Sequence, residues 1–405
     1  NFEAEFELEP LDILARHSWG EGLLDLYANK YESAEAIAQF SSPKQAKLFL
    51  EFCQTAQKVY ESLKGPFIES QRPNMFGLMS ALGVQKSKVL WDIGPFSTLW
   101  SALEHYFPDP RLHQLFGRYA TYCGSSPYLA PATLMLIAEV EMKGVWSIKG
   151  GMVKIPEVIA RLAQKKGCHF QYDSEVQSLL FSGDNVSGVQ LSSGELIECD
   201  YLIFNGDINA LQHGLLGTKA TSGIPKSLKQ SDSLSALTWS MRVKASGFPL
   251  VRHIVFFNQP YQREFSDIFE KKKLPSNPTV YICAQDRTDL ALQNNDYERI
   301  FCLVNAPANG DIQSHDDEEI ERCEQQVFSL IRQYGLQLQD AEMTRTTPRE
   351  FAKLFPGRGG ALYGQATHGW MSSFQRLGSQ SQIGNLLLAG GSAHPGPGIP
   401  MAAMS

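Results

Sequence analysis

The sequence predicts a mixed α/β protein in which a helical subdomain lies between segments rich in β-strands. Apolar residues recur at helical spacing before residue 140, and β-branched and aromatic residues dominate residues 235–310. Between these regions, "SGDN" (182–185) and "SSGE" (192–195) are typical of hairpin turns. With 405 residues, the chain is long enough for two domains with a sizeable core.

The composition is that of a globular protein, with 43% hydrophobic and 20% charged residues. A net charge of −7 disfavours a nucleic-acid partner. The seven cysteines are odd in number and form no CxxC pair, so we expect free thiols rather than disulfides and predict no metal site. No apolar run reaches the roughly 18 residues of a membrane span, and no signal peptide is visible.

Proline and glycine mark the ends of two helices. Pro43 follows Ser42 at the start of the first, and Gly65 is expected to end it. Pro156 lies in the first turn of the second, which is expected to stop at Gly167. The buried face of this second helix is predicted to hold Val158, Ile159, Leu162 and Ala163.

Three further elements have clear patterns. The apolar stretch at 130–140 predicts a buried helix, and "YLIF" (201–204) predicts a strand buried on both faces. A third helix is predicted over 316–334, because acidic residues crowd its first turn and apolar residues recur at helical spacing.

The closing stretch "NLLLAGGSAHPGPGIPMAAMS" (385–405) combines an apolar strand, a loop rich in glycine and proline, and the start of a helix. Gly390 and Gly391 would let a ligand approach the backbone closely. A strand that leads through such a loop into a helix suits an anion or an electron-rich ring. Gly150 and Gly151 in "KGGM" precede another helix. From the local residues alone, a ligand site and a rigid turn that binds nothing explain the closing loop equally well, and a simple turn is favoured for Gly150 and Gly151.

Few residues stand out as catalytic candidates. The sequence contains no GxGxxG, nucleophile elbow, HExxH or P-loop. His394 lies inside the closing loop and is a candidate base, although we favour a role in holding the loop backbone. Arg118 and Arg376 are candidate polar anchors, and structural arginines are the alternative.

Together these segments resemble a known family. "GVWSIKGGM" (144–152), the helix and hairpins after it, and "NLLLAGGSAHPGPGIP" (385–400) resemble the flavin-dependent carotenoid desaturases of the bacterial phytoene desaturase type, in the flavin amine-oxidase superfamily. Segments 116–152 and 354–374 resemble the branch of hydroxyneurosporene or methoxyneurosporene desaturases, which are 1-hydroxycarotenoid 3,4-desaturases. The family's closing signature, Gly-x-x-x-His-Pro-Gly-x-Gly-x-Pro, is matched at Gly390, His394, Pro395, Gly396, Gly398 and Pro400.

The resemblance implies an FAD cofactor and a two-domain fold of the glutathione-reductase-like, amine-oxidase type. It places the backbone of Val176 against the adenine and the closing loop against the isoalloxazine and ribityl groups. Because family members carry GxGxxG before a segment like this one, we expect the pyrophosphate loop upstream of Asn1 and a fragment truncated at both ends of the flavin domain. The residues implied to bind the cofactor are Gly150, Gly151, Val176, Gly390, Gly391, Ser392, Gly398, Ile399, Pro400 and Met401.

The resemblance also implies a reaction and a location. The expected activity removes hydrogen from an acyclic, 1-hydroxy or 1-methoxy carotenoid. Because carotenoids reside in the bilayer, we expect a peripheral enzyme on the cytoplasmic side of a bacterial membrane, with residues 75–140 forming the mouth of an apolar tunnel. Arg118, also a candidate catalytic residue, and Tyr119 are candidate partners for the substrate hydroxyl. Whether the protein forms a homo-oligomer stays open.

The predicted organisation alternates between two domains. Residues 1–40 start the substrate domain, 41–143 form a helical, membrane-facing cap, 144–215 form part of the FAD domain with its β-meander, 216–350 form the substrate-binding sheet, and 351–405 return to the FAD domain. Alternative functions are a phytoene desaturase, a carotenoid isomerase or saturase on the same fold, and a non-catalytic isoprenoid-binding scaffold. The lack of an evident acid–base pair permits the scaffold.

Overall fold

The computed structural model describes residues 5–71, 77, 78, 80, 82, 91, 94, 96–225, 231–287, 296–312 and 316–405, which adopt a mixed α/β fold as predicted. The strands are β1 (Leu8–Pro10), β2 (Ile13–Ser18), β3 (Leu23–Tyr27), β4 (Trp146–Ile148), β5 (Val176–Ser182), β6 (Asn185–Leu191), β7 (Leu196–Glu198), β8 (Leu202–Phe204), β9 (Ser235–Ser246), β10 (His253–Phe256), β11 (Val280–Ala284), β12 (Glu298–Ala306), β13 (Gln337–Thr346) and β14 (Leu386–Leu388).

The helices fall mainly in the first half of the chain. They are α1 (Lys30–Phe40), α2 (Pro43–Leu63), α3 (Leu99–Tyr106), α4 (Pro110–Gly117), α5 (Leu136–Met142), α6 (Lys154–Lys165), α7 (Ile208–Gln212), α8 (Tyr261–Phe265), α9 (Asp317–Gln333), α10 (Pro348–Leu354) and α11 (Ile399–Met404). Most of residues 72–95, and with them part of the predicted tunnel mouth, lie outside the described residues.

A seven-stranded sheet forms the centre of the structure, in the order β13-β9-β12-β11-β10-β2-β3. β2 pairs with β10 in parallel, and the other neighbouring strands are antiparallel. In β12 the side chains alternate between buried and half-buried, so both faces of the sheet are covered. The sheet joins a segment near the start of the chain to residues 235–346.

Helix α9 covers one face of this sheet. Asp316 caps it by accepting a hydrogen bond from the Glu319 N–H at 2.7 Å. Ile320, Cys323 and Val327 are buried in one cluster with residues of the sheet. The predicted helix over 316–334 is therefore confirmed.

A helical block that includes α1 to α5 covers the opposite face. Four aromatic rings at its centre have centroids 5.0–5.7 Å apart. These rings belong to Phe49, Phe52, Phe107 and Phe116. Val255 and Phe257, in and just after β10, belong to the same apolar cluster, so the block packs directly on the sheet.

Helix α2 begins as predicted and ends differently. Ser42 accepts a hydrogen bond from the Gln45 N–H at 3.4 Å, and Pro43 is the first helical residue. The prediction that Gly65 ends the helix is wrong, because the chain continues through a π-helical turn at Lys64–Ile68. Pro66 has no N–H to give to the helix ladder, and the Glu69 N–H instead bonds the Lys64 carbonyl at 2.9 Å.

The predicted buried helix at 130–140 is confirmed in part. It starts as a 3-10 turn at Ala132–Met135 and continues as α5. Ala138 is buried, whereas Val140 is 42% exposed at the far side of the helix.

A third apolar cluster lies beneath the β-meander of β5 to β7. Both predicted hairpin turns are present, with Gly183 and Gly194 at positive φ. β8 and β14 form a short parallel pair next to the meander. Leu179, Leu386 and Ala393 belong to the cluster, which joins the meander to the closing strand and its loop.

Two predictions of burial are wrong. In α6 only Val158 is buried, and Ile159 is 50% exposed. In "YLIF", Ile203 is 65% exposed, so the strand is covered on one face. In both elements the periodicity identifies an apolar face, but few side chains from the described part of the chain cover that face.

Among the residues that the structure describes, no helix combines the length and the apolar character that crossing a bilayer requires.

Candidate functional site

The carboxyl ends of β8 and β14 define the candidate site. The strands run in parallel with Leu202 opposite Leu386. The loops that follow the two strands therefore begin at the same edge of the sheet. Ser392 joins these loops, because its hydroxyl accepts from the Ile208 N–H at 3.2 Å and donates to the Gly206 carbonyl at 3.4 Å. This edge of a parallel pair is where α/β folds commonly bind ligands.

Gly390 and Gly391 play different parts in this loop. Gly390 has φ +103°, and a Cβ there would lie 2.6 Å from Asn205 Nδ2, so the fold itself requires glycine. At Gly391 a Cβ would lie 3.5 Å from Pro397 Cα, an ordinary contact distance. The bare backbone at Gly391 is therefore not demanded by the surrounding protein, and it leaves room for a bound group.

Arg376 holds the loop from behind. Its guanidinium donates to the carbonyls of Gly391 at 2.8 Å, Gln365 at 3.0 Å and Tyr363 at 3.4 Å. Burial lowers the pKa of Arg376 to about 10, which still leaves it charged at neutral pH. A fixed positive charge behind Gly391 can stabilise negative charge on a group bound against the loop.

Arg358 ties a second glycine-rich loop to the same edge. It donates to Asp232 Oδ1 at 2.8 Å and approaches Asp207 Oδ1 at 3.4 Å. Asp207 caps α7 at the start of that helix. The sequence analysis missed Arg358, although the run of glycines at 355–370 signalled the loop that carries it.

His394 anchors the loop to the helical block. Its Nε2 bonds the Phe67 carbonyl at 2.9 Å, and its ring meets the Phe67 ring edge-on at 5.2 Å. Because a carbonyl only accepts, Nε2 carries the hydrogen and Nδ1 is left as a buried acceptor with no protein partner in the described part of the chain. Burial lowers the pKa of His394, so the ring is neutral at physiological pH. These contacts favour the loop-holding role, and a catalytic role stays a prediction.

The first side chains of α11 are exposed or half-buried. Gly398 has φ +110° and precedes the helix, in which Pro400 is the second residue. The side chains of Ile399 and Pro400 are exposed and that of Met401 is half-buried. The helix start predicted at Ile399 is confirmed, and its side chains are free to contact a bound molecule.

The remaining predicted cofactor residues lie on neighbouring elements. Gly150 and Gly151 form the turn between β4 and α6, with φ values of +83° and +88°. Val176 begins β5 and packs on the apolar cluster that contains Ala393 of the closing loop. The structure thus joins Val176 to the closing loop through a shared core and places Gly150 and Gly151 in a separate turn.

Tyr122, Cys123 and Tyr363 lie where the helical block approaches the loop at Gly391. Tyr122 is 39% exposed, yet burial among protein atoms raises its pKa. Cys123 and Tyr363 are half-buried, and burial likewise raises the pKa of each. Since the Tyr363 carbonyl accepts from Arg376, Tyr363 connects the helical block to the loop at Gly391.

A polar cluster lies in the helical block next to Tyr122. The hydroxyls of Tyr119 and Tyr122 donate to the two carboxylate oxygens of Glu141, the second over 3.4 Å. The Arg118 guanidinium lies 5.0 Å from the centre of the Tyr122 ring. The sequence analysis named Arg118 and Tyr119 but missed Tyr122 and Glu141, which no spacing pattern links to them.

Comparison with known proteins identifies the chain. Residues 95–405 match the family described as flavin containing amine oxidoreductase. The chain belongs to this family. Members of the flavin containing amine oxidoreductase family use a flavin, so the chain is a flavin-dependent oxidoreductase.

Several curated relatives are similar over 98–100% of the chain. A hydroxyneurosporene desaturase from Rubrivivax gelatinosus is 49% identical, over 100% of this chain and 78% of that protein. A hydroxyneurosporene desaturase from Cereibacter sphaeroides is 38% identical, over 98% of this chain and 80% of that protein. A 1-hydroxycarotenoid 3,4-desaturase from a Flavobacterium species is 30% identical, over 100% of this chain and 82% of that protein. The predicted family resemblance is confirmed.

Solved structures confirm the fold class. An oxidoreductase from Methanosarcina mazei superposes with a TM-score of 0.56 at 12% identity, over 99% of this chain and 82% of that chain. A putrescine oxidase variant superposes with a TM-score of 0.52 at 9% identity, over 96% of this chain and 77% of that chain. At these identities the likeness concerns the fold alone.

The loop at Gly390 and Gly391 fits a flavin. It offers bare backbone at Gly391, a fixed positive charge at Arg376 and an open helix start at Ile399. An extended, electron-rich ring system needs these features: close approach, a flat surface and a nearby cation that tolerates added electrons.

Proposed function

We propose that this flavin-dependent oxidoreductase is a carotenoid desaturase. Its reaction removes two hydrogens from an acyclic carotenoid that carries a hydroxyl or methoxy group at C1, and so extends the conjugated polyene. The observation that carries the proposal is the 49% identity, across the whole chain, with a hydroxyneurosporene desaturase. We place the polyene where apolar residues of the helical block meet β10.

Positioning and charge account for the residues at the site. When bound, the flavin supplies the acceptor for a hydride equivalent. Gly391 leaves the backbone accessible, and Arg376 places a positive charge where electron density increases. The positive charge that develops on the substrate spreads along the polyene, so a strong protein base is not required. His394 holds the loop through the Phe67 carbonyl and keeps this geometry.

We propose FAD as the flavin, with the adenine against the backbone of Val176 and the isoalloxazine against the closing loop. Val176 supports this arrangement because it shares an apolar cluster with Ala393 of that loop. Gly150 and Gly151 supply a second turn of bare backbone. Under this proposal the parts of the chain at 144–215 and 351–405 form the FAD domain, and 1–40 and 216–350 form the substrate domain beneath the helical cap at 41–143.

We further propose that the protein attaches peripherally to the cytoplasmic side of a bacterial membrane. An exposed apolar patch supports this: Phe96 is 68% exposed, Leu129 48% and Trp370 42%. Phe96 and Trp370 touch edge-on with ring centres 5.3 Å apart, and the Gly369 N–H bonds the Leu129 carbonyl at 2.8 Å. Aromatic rings clustered at a surface suit the boundary between lipid and water.

Expression in carotenoid-producing cells tests the proposed reaction against its alternatives. A desaturase adds one carbon–carbon double bond to the pigment, whereas a saturase removes one. An isomerase changes the pigment's geometry without changing its mass, and a scaffold changes neither. Accumulation of a pigment with two fewer hydrogens supports the proposal, and an unchanged double-bond count overturns it.

A further inference from the structure

A turn rich in lysine lies beside the exposed apolar patch that is proposed to touch the membrane. The stretch "EKKKLPSNP" (270–278) contains the only run of three consecutive basic residues in the sequence, Lys271, Lys272 and Lys273. The structure places all three at the surface, where they are exposed. Because the protein as a whole carries a net charge of −7, this run is a local departure from an acidic surface.

A contact between two rings joins the lysine turn to the patch. Phe269 lies in the π-helical turn that leads into the lysines, and its ring meets the His368 ring edge-on with centroids 4.6 Å apart. Trp370 of the patch is two residues beyond His368 in the sequence. The Gly369 N–H between them bonds the carbonyl of Leu129, which also belongs to the patch. The lysine turn and the apolar patch are therefore neighbouring parts of one surface.

Lys272 has an unusual backbone conformation. Its φ of +54° lies in the left-handed region, where glycine or asparagine is less strained. The Asn309 side chain donates to the Lys272 carbonyl at 2.9 Å, and the Lys273 N–H donates to the Asp267 carbonyl at 3.0 Å. The fold thus keeps a lysine where the backbone alone favours another residue, which indicates a role for the lysine side chain.

The lysines outnumber the acidic residues within this turn. Lys271 Nζ lies 2.9 Å from one carboxylate oxygen of Asp267, and Lys273 Nζ lies 3.7 Å from the same oxygen. Asp267 is buried, so its charge is shared between these two lysines beneath the surface. Glu270 is the other acid of the turn. Three lysines against two acids leave a net positive charge next to the apolar patch.

Lys272 carries the part of this charge that faces the patch. Burial, and after it the charge of Lys272, lower the pKa of His368 to about 4. The His368 ring is therefore neutral at physiological pH, and its Nε2 accepts from the Ser126 N–H at 3.0 Å. Lys272 itself forms no ion pair with a carboxylate among the residues that the structure describes. Its ammonium group can thus pair with a negative charge from outside the protein.

We propose that this lysine turn binds the phosphate groups of anionic lipids and so directs the apolar patch to negatively charged membranes. The inference rests on the membrane attachment proposed above. Aromatic side chains suit the boundary between lipid and water, and lysines beside them can extend their ammonium groups to the phosphate layer. The attraction between basic residues and anionic lipids acts only near the surface, so the lysines must be close to the patch, as they are here.

Co-flotation of full-length, flavin-loaded protein with liposomes tests the proposal. One set of vesicles contains phosphatidylcholine alone, and the other contains phosphatidylcholine mixed with anionic phosphatidylglycerol. Wild type is expected to bind the mixed vesicles severalfold more tightly in about 0.1 M salt. This preference should disappear in about 1 M salt, because screening shortens the reach of a charge from about 10 Å to about 3 Å.

Lys272→Gln should bind the mixed vesicles about fivefold less tightly, since one lysine near an anionic surface contributes about that factor. Its binding to phosphatidylcholine alone should not change, because the apolar patch is intact. The variant keeps both lysines that pair with Asp267. Lys272→Arg, which retains the charge, should behave like wild type. Lys166→Gln is the matched control, since Lys166 is exposed at the end of α6.

Equal binding of wild type to both sets of vesicles would overturn the inference and leave the membrane attachment standing. A preference for the mixed vesicles that Lys272→Gln shares in full with wild type would overturn it as well. Should Lys272→Gln not fold, Lys272→Asn removes the same charge with a residue that adopts left-handed backbone more easily. If wild type floats with neither set of vesicles, the proposed membrane attachment is itself contradicted, and this inference with it.

Discussion

Arg376 is the residue on which the closing loop most depends. Three backbone carbonyls from separate parts of the chain, those of Tyr363, Gln365 and Gly391, accept its hydrogen bonds. Buried carbonyls that lose a charged donor are costly, because no water replaces it. Arg376 therefore supplies both the positive charge at the closing loop and the hydrogen bonds that fix the loop's shape.

Replacing Arg376 by Met should weaken both folding and flavin binding. We expect a loss of about 3 kcal/mol in the free energy of unfolding, since three acceptors lose a charged donor. Bound flavin per protein, measured by absorbance, should fall with it. Arg332→Met serves as the control for a lost surface charge, since Arg332 is exposed in the last turn of α9. Full retention of flavin by Arg376→Met would contradict the role assigned to this side chain.

Glu264 gives the stability of the protein a defined pH dependence. The carboxylate is fully buried and accepts from the Thr279 N–H at 2.9 Å and from Asn305 at 2.8 Å. Burial raises its pKa to about 7, from an ordinary value of 4.5. Because the folded state holds this proton more tightly, the contribution of Glu264 to stability is fully present below pH 4.5 and is lost as pH rises through 7.

Glu264→Gln should remove this dependence. Relative to wild type, the variant should gain up to about 3 kcal/mol between pH 5 and pH 8, the equivalent of the shift in pKa. Melting temperatures of both proteins at the two pH values measure the change, and Glu321→Gln, on the exposed side of α9, is the control. A difference between Glu264→Gln and wild type that is the same at both pH values would show that Glu264 does not titrate in this range.

Sequence reasoning located His394 and the glycine loop, but not the network around them. His394, Gly390 and Gly391 stand in one short signature. The acceptors of Arg376 and the Phe67 partner of His394 lie far away along the chain, and no local pattern encodes such contacts. Arg118 could be named as a polar anchor, whereas its burial beside Tyr122 emerges only from the packing of the helical block.

At the scale of elements, the β-meander depends on one close approach. A Cβ at Gly188 in β6 would lie 2.3 Å from the Ile197 carbonyl oxygen in β7, and this oxygen belongs to the backbone. The two strands pair directly through Gly188 and Glu198. Any side chain at 188 must therefore separate β6 from β7.

Gly188→Ala should destabilise the meander. We expect a loss of about 2 kcal/mol in the free energy of unfolding. The Ile197 backbone cannot move away from the new side chain without breaking hydrogen bonds between β6 and β7. Gly384→Ala is the matched control, because a Cβ there meets nothing within 4 Å. Chemical denaturation of the two variants measures the difference, and equal stability would disprove the close packing at Gly188.

Helix starts and hairpins were predictable because their signals are local. Ser42 and Asp316 cap helices through their own side chains, and Gly183 and Gly194 occupy positive φ in tight turns. The burial of α6 and β8 was not predictable in the same way. A pattern identifies an apolar face such as that of Ile159, but what covers a face is decided by distant parts of the chain.

At the scale of the whole molecule, the helical block packs on one face of the sheet, and the exposed patch of Phe96, Leu129 and Trp370 lies on the block's side. The patch is proposed to touch the bilayer. Replacing Phe96 and Trp370 by Ser should reduce co-flotation with liposomes severalfold, because two aromatic side chains no longer enter the lipid boundary.

Ile312→Ser is the control for this flotation experiment, since Ile312 is 89% exposed elsewhere on the surface. Wild type and the control should float alike. Unchanged flotation of the Phe96 and Trp370 variant would show that this patch does not mediate membrane contact. Retained turnover of a detergent-solubilised substrate would separate attachment from catalysis.

The central claim is that this flavin-dependent oxidoreductase desaturates a carotenoid oxygenated at C1. An anaerobic single turnover tests it most directly: full-length, flavin-loaded protein is mixed with a 1-hydroxylated acyclic carotenoid in liposomes. The account predicts that the yellow flavin absorbance disappears while an equal amount of carotenoid loses two hydrogens, as measured by mass spectrometry. Flavin absorbance and carotenoid mass that both stay unchanged would contradict it.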